Sequence, residues 1–220
     1  MSEAPETLID DLVGNLAPIT PLRAKSLWTG VGVAIILAAI YIFVVYGPRP
    51  EIRAWLHGVW MGEQMMWLKP LLFLGIGAGA LWSVTDLARP QGQFRARTLL
   101  PLIAAMVIVL GMLVRDLVKL GVDEVLSHAH DPATLCFLTI LCGGMAGFVI
   151  MWRFWLRRSA TSHPVLLGIM SGLAAASFMA AAYAVHCNMD TPVYILLIYG
   201  APVALMAALA GMIGGRIFRW

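Results

Sequence analysis

Six long apolar runs, separated by short polar stretches, dominate the hydrophobicity pattern of the chain. They extend approximately over Leu27–Tyr46, Met66–Val84, Leu99–Val114, Leu135–Trp152, Val165–Val185 and Val193–Ile213. Because about 20 helical residues cross the hydrocarbon core of a bilayer, each run is long enough to span a membrane. The runs are continuously apolar and lack the alternation of barrel strands, so we expect helices. The pattern therefore predicts an all-α integral membrane protein, a bundle of six transmembrane helices.

Composition supports the membrane prediction. Of the 220 residues, 60% are hydrophobic and only 12% are charged, whereas soluble domains have roughly 25% charged residues. The 26 residues before the first run include Glu3, Glu6, Asp10 and Asp11, unlike the basic start of a cleaved signal peptide. We therefore expect an uncleaved first span and two parts, an N-terminal segment over residues 1–26 and a transmembrane domain over residues 27–220.

The basic residues are distributed unevenly between the two ends of the predicted bundle. One end would hold ten of them: Arg23, Lys25, Arg89, Arg95, Arg97, Arg153, Arg157, Arg158, Arg216 and Arg219. The other end would hold five: Arg49, Arg53, Lys69, Arg115 and Lys119. Positively charged short loops stay in the cytoplasm, so this bias predicts that both termini are cytoplasmic.

The N-terminal segment has the pattern of a short amphipathic helix. One apolar stripe is formed by Leu8, Ile9, Leu12, Val13 and Leu16. Asp10 and Asp11 favour the positive start of this helix, and Pro18 ends it. Helices that lie on membranes usually carry basic residues on their polar face, so the acidic pair favours a basic protein partner over lipid. Packing on the protein's own cytoplasmic loops is the alternative.

The three cysteines differ in their predicted positions. Cys136 begins the fourth span and Cys187 follows the fifth, so both lie at the outer end of the bundle, 51 positions apart in sequence. Cys142 lies about 9 Å deeper in the fourth span, where ordinary helix packing explains a thiol. For Cys136 and Cys187 the residues alone leave packing and redox function equally open.

Histidines near the outer cysteines raise the question of a metal. His186 adjoins Cys187, and His128, His130 and Asp131 precede the fourth span. Thiolates and imidazoles bind soft or borderline metal ions, yet this spacing matches no known zinc pattern. We expect no resident cofactor, and at most a transient heavy-metal ion at the outer cysteines.

Three features of the spans lead to further expectations. Lys69 should extend its ammonium outward to the interface, as lysines near helix ends often do. Pro202 should kink the sixth span. Glycines should permit close helix packing in the second span, at Gly75, Gly77 and Gly79, and in the fourth, at Gly143, Gly144 and Gly147.

Two other classes of membrane protein compete with a regulator. A membrane thiol-disulfide oxidoreductase usually needs two dithiol pairs to pass electrons, and this chain offers one outer pair and Cys142. A small transporter needs ionisable residues in mid-span, and these runs have almost none. Direct nucleic-acid binding is disfavoured, because the basic residues lie in short loops beside the membrane. The sequence predicts no oligomeric state.

Short motifs in a fixed order resemble a known family. They are "LIDDLVGNLAPITPLR" near the N-terminus, "VRDLVKLG" after the third span, "LC" at the start of the fourth, "AYAVHCNMDTPVY" between the fifth and sixth, and "GGRIFRW" at the end. In this order the chain resembles the NrsF family of bacterial membrane anti-sigma factors, the negative regulators of sigma F. The resemblance covers all six spans.

The resemblance implies a function and a site. It implies a non-enzymatic protein of the bacterial inner membrane whose segment Leu8–Leu16 binds an extracytoplasmic-function sigma factor. It also implies that two periplasmic cysteines are needed for release under oxidative or heavy-metal stress. Cys187 lies in the matching "HC", and Cys136 fits the other cysteine by its place in the fourth span.

Overall fold

The computed structural model describes residues 14, 24–59, 64–127 and 134–218, and within them it contains six helices long and apolar enough to cross a membrane. We number them α1 (Ala24–Val45), α2 (Met65–Leu87), α3 (Leu100–Leu120), α4 (Thr134–Phe154), α5 (Pro164–Tyr183) and α6 (Pro192–Ile217). The described residues contain no strand. The prediction of an all-α six-span protein is confirmed.

Short helices connect some of the spans. Pro50–Leu56 lies between α1 and α2, and Val122–Ser127 follows α3. Two short 3₁₀ helices, Ala96–Leu99 and Leu156–Arg158, precede α3 and follow α4. None of these four is long enough to cross a bilayer.

Successive spans run in opposite directions, which gives the bundle two chemically distinct ends. The cysteine end is where α1, α3 and α5 finish and where α2, α4 and α6 begin, and it contains Cys136 and Cys187. The arginine end is the opposite one, and it contains Arg89, Arg95, Arg97, Arg153, Arg157, Arg158 and Arg216. Cross-connections tie each end together, including the backbone N–H of Arg49 to the Val185 carbonyl and that of Ala160 to the Ala88 carbonyl.

Helix α5 is the centre of the bundle. It is buried along most of its length and packs against α2, α4 and α6. Its sequence is rich in alanine and glycine, and small residues let neighbouring helix backbones approach closely in lipid. A Cβ atom added at Gly172 would lie 2.6 Å from the carbonyl oxygen of Met206 in α6. This close approach fixes α6 against α5 and so positions the start of α6 at the cysteine end.

The glycines expected to permit close packing do so in α2 and α4. A Cβ at Gly77 would lie 2.6 Å from the Phe178 ring, and a Cβ at Gly144 would lie 3.0 Å from the Cα of Ala176. Both neighbours belong to α5. Gly168 and Gly172, which were not among the glycines expected to permit close packing, make the corresponding contacts between α5 and α6.

Helix α1 lies at the edge of the bundle. Most of its side chains are exposed, and it contacts mainly α5. Between α1, α4 and α5 lies an apolar groove of about 330 Å³, lined among others by Gly30, Ala34, Gly147 and Phe178. Helix α1 is therefore joined to the rest of the protein by a loose interface along its length.

Helices α3 and α6 differ from the predicted spans, α3 in its length and α6 in the geometry of one turn. Helix α3 continues beyond Val114 to Leu120 and ends at Gly121, whose φ of 85° lies in the left-handed region that favours glycine. In α6, the residues Ile195–Gly200 form a π-helical segment just before Pro202. Proline lacks the backbone N–H of an α-helical turn, which favours a widened turn before it, and the kink expected at Pro202 stays a prediction.

Candidate functional site

Cys136 and Cys187 meet at the cysteine end. Cys136 lies in the first turn of α4, and Cys187 lies in the connection between α5 and α6. The two thiols are close enough for a hydrogen bond between them to influence the pKa of Cys187. All three cysteines of the chain are free thiols, and Cys142 lies exposed on α4. The structure thus brings together the two cysteines singled out from the sequence and leaves the third apart.

Tyrosines surround the sulfur of Cys136. The hydroxyl of Tyr183, at the end of α5, donates a hydrogen bond to this sulfur at 3.4 Å, and the hydroxyl of Tyr194 donates another at 3.2 Å. Tyr199 is fully buried beside them, with its ring centroid 6.4 Å from that of Tyr194. Within the described part of the chain, the Tyr199 hydroxyl has no hydrogen bond of normal geometry. It nevertheless lies near enough to Cys187 to affect the pKa of that thiol.

Sequence reasoning missed these tyrosines. The available signal was the spacing in "VYILLIYG", where Tyr194 and Tyr199 are five residues apart just before Pro202. A π-helical turn has i→i+5 hydrogen bonds and often lies at functional sites. It therefore directs residues five apart to roughly the same side. The spacing together with Pro202 is the signal that would have indicated that both phenols lie on one side of the sixth span.

Lys69 is the main correction to the sequence analysis. We expected this lysine to extend outward, and that prediction is wrong because its side chain is 0% exposed. Its Nζ donates to the carbonyl oxygens of Cys187 at 3.1 Å and Met189 at 2.8 Å, and forms an ion pair with Asp190 at 3.2 Å. An ammonium group has three donors, and the connection after α5 provides three acceptors. These three acceptors replace the hydrogen bonds to water that an outward-pointing lysine would make.

Arg49 lies next to Lys69 and binds the same carboxylate. Its Nη2 pairs with Asp190 and its Nε donates to Glu51 at 3.0 Å, while the side chain is only 1% exposed. Burial works against the charge of Arg49, but hydrogen bonds with Glu51 and Asp190 outweigh it and raise the pKa of the guanidinium. The same contact holds the pKa of the Glu51 carboxyl below its usual range, against the effect of burial. Both side chains are therefore charged at neutral pH.

These surroundings make Cys187 an acidic thiol. A hydrogen bond from Cys136 lowers the pKa of Cys187 to about 5, assisted by the positive charge of Lys69 and opposed by burial. Free cysteine has a pKa of about 8.5, and only the thiolate is nucleophilic and binds metal. A shift in this direction favours the thiolate form of Cys187 at neutral pH, with Cys136 as the neighbouring thiol.

His186 is engaged in packing. Its Nδ1 is hydrogen-bonded to the carbonyl oxygen of Gly47 at 2.9 Å. Its ring lies between Tyr46 and Tyr183, with centroid distances of 5.4 and 5.6 Å. Among the residues that the structure describes, no group of three or more His, Cys, Asp or Glu side chains could hold a metal ion.

Several residues predicted from the sequence lie outside the described residues. These are the histidines His128 and His130 with Asp131, and the residues of the N-terminal stripe with its acidic pair, Leu8, Ile9, Asp10, Asp11, Leu12, Val13 and Leu16. Their predicted roles in metal binding and in binding a sigma factor stay predictions.

Fold and site together define a six-span helical membrane protein with two apposed free thiols at one end of its bundle. The profile of the NrsF family, described as negative regulator of sigma F, matches residues 12–220, and the chain belongs to this family. No curated protein and no solved structure matches it. The chain is thus a membrane-embedded anti-sigma factor, a regulator of transcription whose partner is a sigma factor.

Proposed function

We propose that this protein holds an extracytoplasmic-function sigma factor at the bacterial inner membrane and releases it when Cys136 and Cys187 react. The observation that carries the proposal is the apposition of these two free thiols, one of them acidic, at the end of the bundle opposite the start of α1. The N-terminal segment that precedes α1 is the part that binds the sigma factor. Sensing and binding then lie at opposite faces of the membrane.

The charge distribution supports this orientation. The arginine end carries seven arginines within the described residues, and short basic loops stay in the cytoplasm. The cysteine end then faces the periplasm, where disulfides form and persist. Both termini lie in the cytoplasm, where the N-terminal segment reaches a soluble sigma factor. Asp10 and Asp11 complement the basic surface with which a sigma factor binds DNA.

The oxidative reaction with a hydroperoxide follows from the acidity of Cys187. Its thiolate attacks one peroxide oxygen, the O–O bond breaks, and the leaving oxygen takes a proton to become an alcohol. Cys187 is then a sulfenic acid. The sulfur of Cys136 gives up its proton and attacks Cys187, so that an S–S bond forms and water leaves. The two thiols lose two electrons, and the peroxide gains them.

A soft metal ion provides a second way to join the same thiols. Two thiolates bind such an ion and release the protons they still carry. Either bond ties the start of α4 to the connection between α5 and α6. To change a mostly occupied sigma-binding site into a mostly empty one, the bond must favour the releasing state by about 5.5 kcal/mol.

Purification of the complex tests the proposal. The full-length chain and a version lacking residues 1–22 are purified from the native host under reducing conditions, and bound proteins are identified by mass spectrometry. We expect an extracytoplasmic-function sigma factor with the full-length chain alone, and its release after a hydroperoxide is added. A Cys142→Ser variant should behave like the parent. A sigma factor retained equally by the truncated chain, or one that stays bound after complete oxidation, would overturn the proposal.

A further inference from the structure

We propose that Lys69 is a positioning residue for the sensing reaction, which orients Cys187 towards Cys136 and favours its thiolate form. This inference rests on the proposed function, because it concerns the reactivity of the same thiol pair. It concerns a residue in α2, a helix that contains neither cysteine. Its basis is the set of contacts that Lys69 makes with one short segment.

The three acceptors of Lys69 all belong to residues 187–190. Two are backbone carbonyls, of Cys187 and Met189, and the third is the carboxylate of Asp190. Because the ammonium binds the backbone of Cys187 itself, it fixes the position from which this thiol extends. The ring of Tyr199 covers the other side of the ammonium, with Nζ 4.4 Å from the ring centroid. Lys69 is therefore held firmly within the site.

The charge of Lys69 acts on Cys187 at short range. The titratable or charged groups that face this thiol are Lys69 from α2, Cys136 from α4, Tyr183 from α5, Asp190 from the connection, and Tyr194 and Tyr199 from α6. Among the described residues, Lys69 is the cation whose charge favours the thiolate of Cys187, while Arg49 pairs with the shared Asp190. A nearby cation favours the thiolate over the thiol. Asp190 limits this effect, because it shares the ammonium.

The pH profile of thiol alkylation separates electrostatics from packing. In the Cys142→Ser background, the rate of Cys187 modification by iodoacetamide is measured by peptide mass spectrometry between pH 4 and pH 9. We expect the rate of the parent to be half-maximal near pH 5. Lys69→Met should move the half-maximal point upward by about one pH unit or more, which lowers the rate at pH 5 at least about fivefold. Lys69→Arg keeps the positive charge and should therefore have nearly the same pH profile as the parent.

A matched control is Lys119→Met, which removes an exposed lysine at the cysteine end. It should leave the profile unchanged. A change in access alone would scale the rate at every pH and leave the midpoint in place, so an unmoved midpoint in Lys69→Met would overturn the inference. Size-exclusion chromatography identifies variants that fail to fold, and if Lys69→Met is one of them, the uncharged polar variant Lys69→Gln takes its place with the same expected shift. The readout needs no sigma factor, so failure of the proposed function stays distinguishable.

A second inference follows from contacts on the other side of the connection after α5. The end of α1 is attached there by three separate contacts. The Arg49 backbone N–H donates to the Val185 carbonyl at 3.1 Å, the Gly47 carbonyl binds His186 at 2.9 Å, and the Tyr46 ring packs against His186. We call this set, together with the Arg49–Asp190 ion pair, the α1 clasp.

We infer that the α1 clasp transmits the state of the thiols to the N-terminal segment. Along its length α1 is mostly exposed and loosely packed, whereas its end is bound to residues 185–190 on either side of Cys187. A displacement of Cys187 towards Cys136 therefore pulls on the end of α1. A helix transmits such a displacement over its 22 residues, and its start is joined to the proposed sigma-binding segment.

Weakening the α1 clasp should reduce release of the sigma factor without reducing oxidation of the thiols. In Arg49→Gln, disulfide formation is followed by non-reducing electrophoresis and sigma release by co-purification, and the amount released is divided by the amount oxidised. We expect this ratio to fall at least fivefold relative to the parent. Arg53→Gln, which changes an exposed arginine in the same connection, should keep the parent ratio.

Measurements on the parent protein separate failure of the proposed function from failure of the clasp inference. If the oxidised parent keeps its sigma factor, the proposed function is wrong. If the parent releases it and Arg49→Gln releases as much per disulfide, the clasp does not transmit the signal and only this inference is lost. Normal release in a doubly weakened variant, Tyr46→Ala with Arg49→Gln, would exclude the clasp in the same way.

Discussion

The buried ammonium of Lys69 and the partly exposed carboxylate of Asp190 form an ion pair at 3.2 Å although 121 positions separate them in the sequence. Asp190 also pairs with Arg49, so one carboxylate joins α2, the connection after α1 and the connection after α5. Lys69 also binds the carbonyl oxygen of Cys187. The position of Cys187 therefore depends on a small set of charges that neutralise one another.

Removing the shared carboxylate should destabilise the fold. In Asp190→Asn, two buried cations lose a partner, and breaking a buried pair costs about 3–5 kcal/mol. We expect a loss of about 3 kcal/mol in the free energy of unfolding, measured by denaturant titration in detergent micelles. Asp116→Asn is the control, because Asp116 pairs with an exposed Arg115 and surface pairs contribute about 0–1 kcal/mol. Equal losses in the two variants would contradict the prediction.

Close contact between α5 and α6 should make Gly172 intolerant of side chains. A Cβ there would lie 2.6 Å from the Met206 carbonyl oxygen and 3.1 Å from the Cα of Ala207, and backbone atoms cannot move aside cheaply. Gly172→Val should lower the free energy of unfolding by at least about 1–3 kcal/mol, the typical cost of overpacking. Gly111→Ala should be neutral or stabilising, because its Cβ meets nothing within 4 Å and alanine favours helices.

Thermal unfolding of both glycine variants in one detergent checks this prediction. The two substitutions lie in membrane-spanning helices, so differences in micelle binding largely cancel. A stable Gly172→Val protein would mean that α5 and α6 can separate without cost, which the close packing of α5 contradicts.

The helices were predictable from the sequence because the signal depends on local composition. A continuous apolar run needs no tertiary information to be recognised, and the bounds of α1, α2, α4 and α5 lie within three residues of the predicted ones. Helix α3 runs six residues further than predicted, to Leu120, because the sequence reading ended the span before Arg115. Charged residues at the interface do not end a helix, and Gly121 does.

The site was only partly predictable, because its decisive contacts are long-range. The sequence placed Cys136 and Cys187 at one end through topology alone. It could not show that the connection after α5 turns two carbonyls towards Lys69, since backbone direction in a loop depends on the whole fold. Lysines near helix ends usually reach outward, and this one has its acceptors inside the protein.

Acidity of Cys187 should make the stability of the reduced protein depend on pH. Its pKa is lowered to about 5 in the folded protein and is about 8.5 in an unfolded chain. A depressed pKa contributes stability that is fully present above pH 8.5 and is lost as the pH falls through 5. We expect the free energy of unfolding to fall between these values in the parent, and to fall less in Cys187→Ala.

Equilibrium unfolding in detergent with an excess of reductant, repeated between pH 5 and pH 9, gives this comparison. Glu51 has a depressed pKa as well, but carboxyl groups titrate mostly below this range. The difference between the two proteins therefore isolates the thiol. Parallel curves for parent and Cys187→Ala would show that Cys187 has an ordinary pKa.

Loss of both apposed thiols should keep the sigma factor permanently bound. In Cys136→Ser with Cys187→Ser, neither a disulfide nor a thiolate–metal bridge can form, while serine preserves the size and much of the hydrogen bonding. A reporter gene under a promoter of the partner sigma factor should then stay at its basal level during peroxide or cadmium exposure. Cys142→Ser should respond like the parent, because Cys142 lies exposed on α4 and apart from the pair. Normal induction in the double variant would exclude the thiol pair as the sensor, and constant high expression would instead mean that the thiols are needed to hold the sigma factor.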